Sequence, residues 1–276
     1  MTSLFSQLRL RTTTTGIGLA IITLFLIHLP GPALAEWYLA GYGGYSSPGS
    51  LSDVTMNNLG ERNAFQQFPG AAQIPPQGTL TQSFNSSDVA LKSSPLFGGK
   101  VGYFFQEEGF SWLGVEVEAF SSQPKIKSQT VSTTQSVTYL PFNPNVTTPP
   151  ANCIPGIVDC QAQVRNNGAL QLSESSMRLI VVAFNVVARY PGKVFQPYVG
   201  VGAGAFYFSS SGQIDGRQVV PGVNVLTGLK LLATEEWGLF VEGKYNYASI
   251  TNFDQTFGLS GNYSSFAAVA GLAYHF

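Results

Sequence analysis

The sequence predicts an all-β protein, an eight-stranded antiparallel transmembrane β-barrel, and three observations favour this fold. Apolar and polar residues alternate with a period of two in eight segments, which is the pattern of strands with two chemically different faces. Charged residues make up only 11% of the chain, whereas they average about 25% of soluble domains. The connections between the eight segments are alternately short and long, as in barrels with tight turns at one rim and long loops at the other.

The start of the chain has the layout of a secretory signal peptide. Basic residues precede an apolar run at 16–27, and the small-residue motif ALA at 33–35 resembles a cleavage site. The apolar run is short against the about 20 residues that a membrane-spanning helix needs. We therefore expect a signal peptide at 1–35 and a barrel domain at 36–276.

Each of the eight segments is about as long as a tilted membrane-spanning strand, which needs about 9–11 residues. One face of each segment is apolar, and the other combines glycine, small residues and a few charges. In lipid the apolar face points outward and the polar face lines the lumen. A soluble β-sandwich is the alternative, but it usually carries far more lysine and glutamate on its outer face. The predicted strands are 36–45, 96–106, 110–121, 177–190, 195–208, 222–232, 237–248 and 263–276.

The connections predict which rim faces which side of the membrane. Both chain ends fall at the rim of the short turns, which we expect to be periplasmic, with the long loops extracellular. The two longest loops, about 46–95 and 122–176, are rich in Ser, Thr, Gln and Asn and show almost no periodicity. Connections of this length are usually functional or disordered.

The only two cysteines, Cys153 and Cys160, lie in the second long loop. In an oxidising compartment they are expected to form a disulfide that closes a small loop. A metal site is the weaker alternative, because two thiols do not complete a tetrahedral set and no histidine is near.

Four stretches carry a resemblance to a known family: WYLAGYGGYS directly after the signal peptide, FQPYVGVGAGAFYF, FVEGKYNY and the terminal GLAYHF. They resemble the small Gram-negative outer-membrane β-barrels of the OmpA-like, porin-like type, over essentially the whole mature chain. The resemblance implies an outer-membrane location, contact with lipopolysaccharide and insertion by the barrel assembly machinery. It leaves the task of the protein open, because one scaffold serves many functions.

The last predicted strand ends on two alternating aromatic residues, Tyr274 and Phe276. Aromatic side chains favour the level where headgroups meet hydrocarbon. In the family that the sequence resembles, a terminal aromatic residue with a second one two positions earlier is the signal that the insertion machinery reads. The resemblance therefore implies that Tyr274 and Phe276 form the assembly signal.

Seven charged residues are predicted to face the lumen. Charges removed from water must be paired, so we expect a salt-bridged plug rather than chemistry by paired carboxylates. A turn centred on 107–108 would bring Lys100 close to Glu116. The seven residues are Lys100, Glu116, Glu118, Arg189, Lys230, Glu242 and Lys244.

The sequence favours a non-enzymatic protein with a structural or surface-interaction role. The mature chain has one histidine, His275, beside the last residue and away from any catalytic motif. We predict no catalytic residue, cofactor or metal, and no basic run suggests nucleic acid. The alternative is a narrow porin-like channel for small or hydrophobic solutes, in which Gly200, Gly202 and Gly204 thin the wall or make room for Phe206 or Phe240.

Overall fold

The computed structural model describes residues 36–67, 78–106, 109–141 and 162–276. The expected signal peptide at 1–35, the turn at 107–108 and both cysteines lie outside the described residues. Thirteen strands and one helix are present in the described ranges. They are β1 (Glu36–Met56), α1 (Asn57–Gln67), β2 (Gly78–Ser86), β3 (Val89–Lys92), β4 (Ser94–Phe105), β5 (Phe110–Ser122), β6 (Lys125–Ile126), β7 (Gln129–Pro141), β8 (Ala162–Leu172), β9 (Ser175–Arg189), β10 (Phe195–Ser211), β11 (Gly216–Leu232), β12 (Trp237–Ile250) and β13 (Leu259–His275).

Eight of the strands close into a ring. Their order is β1-β4-β5-β9-β10-β11-β12-β13, and β13 pairs back to β1 from Tyr38–His275 onward, with every pair antiparallel. Closure removes both sheet edges, which is what a strand structure in lipid requires. The predicted eight-stranded antiparallel barrel is confirmed, and each predicted strand falls on one strand of this ring.

The outer wall of the barrel is apolar, as a transmembrane barrel requires. Every second residue of a strand points outward, so Phe184 is 52% exposed and Val241 is 57% exposed. Aromatic residues mark both rims: Trp37 packs on Tyr103 at one rim, and Tyr245 packs on Phe266 towards the other. No helix in the described part of the chain is long and apolar enough to cross a membrane.

The two long connections, for which the sequence shows almost no periodicity, contain regular strands in their described residues. β1 runs on to Met56 through two register shifts, and β2, β7 and β8 extend the sheet beyond the ring. The helix α1 lies against this extension. In β7 the buried side chains alternate along the strand, but they include Thr133 and Gln135 beside Val131 and Val137, so hydropathy alone hides the period of two.

Inside the barrel, glycines make room for aromatic side chains of neighbouring strands. A Cβ atom on Gly102 would collide with the ring of Tyr38, and a Cβ atom on Gly222 would collide with that of Phe206. Such pairs of an aromatic residue over a strand glycine are a known means of stabilising barrels. The expectation that the glycines of β10 accommodate Phe206 or Phe240 is wrong: Gly200 faces Leu226, Gly202 faces Asn185 and Asn224, and Gly204 faces Ala183.

Candidate functional site

The centre of the lumen holds a cluster of ion pairs. The Nζ atom of Lys100 lies 2.6 Å from Oε2 of Glu242 and 3.4 Å from Oε2 of Glu116. Two tyrosines donate hydrogen bonds to the carboxylates of this cluster. The hydroxyl of Tyr198 donates to Glu242 (2.7 Å), and that of Tyr38 donates to Glu116 (2.5 Å). These groups come from five different strands, so the cluster ties opposite walls of the barrel together.

A second part of the cluster is fully buried. Lys244 forms ion pairs with Glu118 and with Oε1 of Glu242, the latter at 3.0 Å. The side chains of all three residues have no measurable exposure. Tyr42 donates a further hydrogen bond to Glu118. Lys100 and Lys244 belong to one network, because both form ion pairs with Glu242.

The remaining lumen charges meet at the rim of the short turns. Nη1 of Arg189 and Nδ1 of His275 each lie 2.6 Å from Oε1 of Glu36. Nζ of Lys230 lies 3.2 Å from Nε2 of His275 and 4.4 Å from the ring centre of Tyr38. Glu36 is not among the seven lumen charges predicted from the sequence, although it shares the inward-facing alternation with Tyr38.

This network fills the barrel interior. All seven charged residues predicted to face the lumen are at most 6% exposed. Between them and the surrounding aromatic residues, the lumen leaves a void of about 10 Å³. That is the space of about one water molecule, so side chains fill this part of the lumen.

Beyond the ring, β2, β7 and β8 form what we call the loop sheet, and α1 packs against it. α1 is fixed to the β12–β13 connection, where Nδ2 of Asn58 donates to the carbonyl of Gln255 (2.9 Å). On its other side Nε2 of Gln135 donates to the carbonyl of Gly60 (2.8 Å). The absence of a side chain at Gly60 lets α1 approach β2, because a Cβ atom there would lie 2.6 Å from Cβ of Phe84.

The loop sheet and α1 enclose a cleft of about 440 Å³. None of the described residues that line it carries a charge, and most present amide or hydroxyl groups beside a few apolar side chains. Such a surface suits a polar, uncharged partner. The lining residues are Leu59, Asn63, Gln66, Gln67, Phe84, Thr133, Gln135, Asn166, Asn167, Gly168, Ala169 and Leu170.

Comparison with known proteins gives similarity at the level of solved structures. No family model matches the chain, and no curated protein matches it. Among solved structures, Neisserial surface protein A (NspA) shares 13% identity over 90% of this chain and 100% of that chain, with a TM-score of 0.42. The attachment invasion locus protein Ail of Yersinia pestis, in complex with the heparin analogue sucrose octasulfate, shares 10% identity over 88% and 98%, with a TM-score of 0.39.

A third similar structure is the N-terminal β-barrel domain of Pseudomonas aeruginosa OprF, with 13% identity over 87% of this chain and 97% of that chain and a TM-score of 0.36. All three TM-scores are below 0.5, so the assignment of the fold depends on the strand order and the closure of this chain itself.

Proposed function

We propose that the chain is an integral outer-membrane protein with a structural or surface-interaction role and no enzymatic activity. The apolar outer wall with aromatic residues at both rims supports a place in the bilayer. The proposal has the loop sheet outside the cell, in the lipopolysaccharide layer, and both termini in the periplasm. Insertion by the barrel assembly machinery, with Tyr274 and Phe276 as its signal, belongs to the same proposal.

The loop sheet is the proposed interaction surface. The observation that carries this is a folded sheet with an open, uncharged cleft standing on a barrel whose interior is packed. Long connections that fold independently of the membrane strands are commonly the functional part of such scaffolds. A partner that is polar and uncharged fits the amide groups of Asn63, Gln66 and Asn166.

Two cleft variants test this proposal on whole cells. Gln66→Arg and Asn166→Arg each place a long charged side chain in the cleft, and Gln163→Arg is the matched control, an exposed β8 residue that does not line the cleft. Adhesion to immobilised glycans and extracellular-matrix proteins, and leakage of the outer membrane to vancomycin, are measured for each. If only the two cleft variants lose adhesion, the proposal is supported. If all variants adhere like the wild type, an interaction at the cleft is contradicted.

The non-enzymatic part of the proposal rests on the surroundings of the histidine. Within the described residues, both ring nitrogens of His275 face charged groups, Glu36 and Lys230. A histidine that acts as a general base needs a ring nitrogen that can accept a proton from the nucleophile, which is a Ser, Thr or Cys side chain or a water molecule. Glu36 and Lys230 instead occupy the positions beside the ring nitrogens and hold the ring in the rim cluster.

The porin-like alternative receives no support from the described lumen. A channel needs a continuous water-filled path, and an eight-stranded barrel is only just wide enough for its own side chains. In this chain Lys100, Lys244 and their partners occupy that space.

A further inference from the structure

Two arginines share one row on the outer surface of the barrel, at the end that carries the loop sheet. Arg178 of β9 and Arg217 of β11 both pair with Ser209 of the intervening strand β10. Both side chains are exposed, and the next residue on β9, Leu179, is buried. Neighbouring strands are about 4.8 Å apart, so the two Cα atoms lie roughly 10 Å from one another, with the side chain of Ser209 between them.

These arginines differ from the lysines of the same rim. Lys92 and Lys125 share Glu174 as an ion-pair partner. The hydrogen bonds that they donate lower the pKa of Glu174, which keeps it charged and the lysines neutralised. Among the described residues, no carboxylate forms an ion pair with Arg178 or Arg217. The row therefore holds two positive charges that the described carboxylates do not neutralise.

Directly towards the middle of the barrel the surface becomes apolar. The next row that points outward consists of Ile180, Tyr207 and Val219, and the following rows centre on Ala205 and Ala203 of β10. These alanines lie between larger side chains, with Phe184 52% exposed and Val223 48% exposed on the two flanking strands. The small side chains of Ala205 and Ala203 thus form a shallow groove, one strand wide, that starts below Tyr207, one row away from the arginines.

We propose that this row and groove bind a phosphorylated lipid, with the phosphate between Arg178 and Arg217 and an acyl chain along Ala205 and Ala203. Guanidinium groups form paired, charge-assisted hydrogen bonds with phosphate oxygens. The hydroxyl of Ser209 supplies a further donor. The occupant is a diphosphorylated glycolipid of the lipid A type, because the inference rests on the proposed function, which has this rim in the outer leaflet.

The test uses the folded mature protein in detergent, with affinity measured by native mass spectrometry. The probes are diphosphoryl lipid A, the same lipid without its phosphates, and inorganic phosphate as a competitor. The variant is Arg178→Gln with Arg217→Gln. The matched control, Arg62→Gln with Arg165→Gln, removes the same charge from exposed residues of α1 and β8. Heat-modifiable migration establishes that each variant is folded.

We expect the double variant and the removal of the lipid phosphates each to weaken binding at least about tenfold, the effect of losing one charge-assisted hydrogen bond. The control is expected to bind like the wild type. If the control variant bound lipid A as weakly as the double variant, the effect would be one of net charge alone. If equimolar inorganic phosphate displaced the lipid, the row would be a site for free anions. Either result, or unchanged binding by the variant, overturns the inference. A protein in detergent has no inner or outer leaflet around it, and the double variant changes no residue that lines the cleft. The outcomes of this test therefore do not depend on the proposed surface interaction.

Discussion

Trp37 and Phe276 exchange two backbone hydrogen bonds across the seam where the barrel closes. The N–H of Phe276 donates to the carbonyl of Trp37 (3.0 Å), and the N–H of Trp37 donates to the carbonyl of Phe276 (3.2 Å). The ring of Phe276 also stacks with that of Tyr274, with 6.0 Å between centres. The same residue therefore completes the strand ladder and the aromatic rim.

Replacing Phe276 by alanine is expected to reduce the amount of folded barrel in the outer membrane. The variant loses an aromatic group at the closing seam and, on our proposal, the signal read during insertion. Phe266→Ala is the matched control, because it removes the same ring from the outer face of the same strand. Heat-modifiable migration of membrane fractions measures the effect, and normal folded amounts for Phe276→Ala would refute the assigned role.

Replacing Lys244 by methionine is expected to lower the free energy of unfolding by about 3–5 kcal/mol, since it leaves Glu118 with an uncompensated buried charge. Lys193→Met, at an exposed turn, serves as the control and should leave stability unchanged. Urea unfolding in detergent or lipid vesicles gives both values. A midpoint for Lys244→Met equal to that of the wild type would show that the buried network does not stabilise the barrel.

Part of this network follows from the sequence and part does not. Lys100 and Glu116 lie on the two strands of one hairpin, β4 and β5, so their proximity is predictable from the sequence. The contact between Lys100 and Glu242 crosses the lumen between strands that are distant in sequence. It depends on the stagger of all eight strands, which no single hairpin specifies.

The membrane strands were predictable because lipid requires an apolar residue at every second position. The loop sheet lies outside the closed ring of strands, where that requirement is relaxed. Its strand β7 buries Thr133 and Gln135 and exposes Ser and Thr, so the two faces have similar hydropathy. Its high content of β-branched residues is a sequence signal that could have indicated this strand.

Replacing Gly102 by valine is expected to destabilise the barrel by about 1–3 kcal/mol, the usual cost of overfilling a packed interior. The new side chain would occupy the space of the Tyr38 ring and would disturb its hydrogen bond to Glu116. Gly41→Val is the control, because a Cβ atom at Gly41 meets nothing within 4 Å. Equal urea midpoints for the two variants would contradict the packing of Tyr38 over Gly102.

Replacing Gly60 by valine is expected to separate α1 from β2 without unfolding the barrel, since the added atoms would collide with Phe84. Limited proteolysis should then cut the variant in the region of α1 faster than the wild type, while heat-modifiable migration stays normal. Gly49→Val is the control, because its position is open. Unchanged proteolysis of the Gly60 variant would show that the close approach of α1 is not needed.

Side chains fill the described lumen, and on our proposal the protein acts through its loop sheet. Single-channel conductance of the purified mature protein in planar bilayers tests this most directly, with heat-modifiable migration used to verify folding. The packed lumen predicts no reproducible openings. Regular openings of uniform conductance from the folded protein would contradict the account and would favour the porin-like alternative.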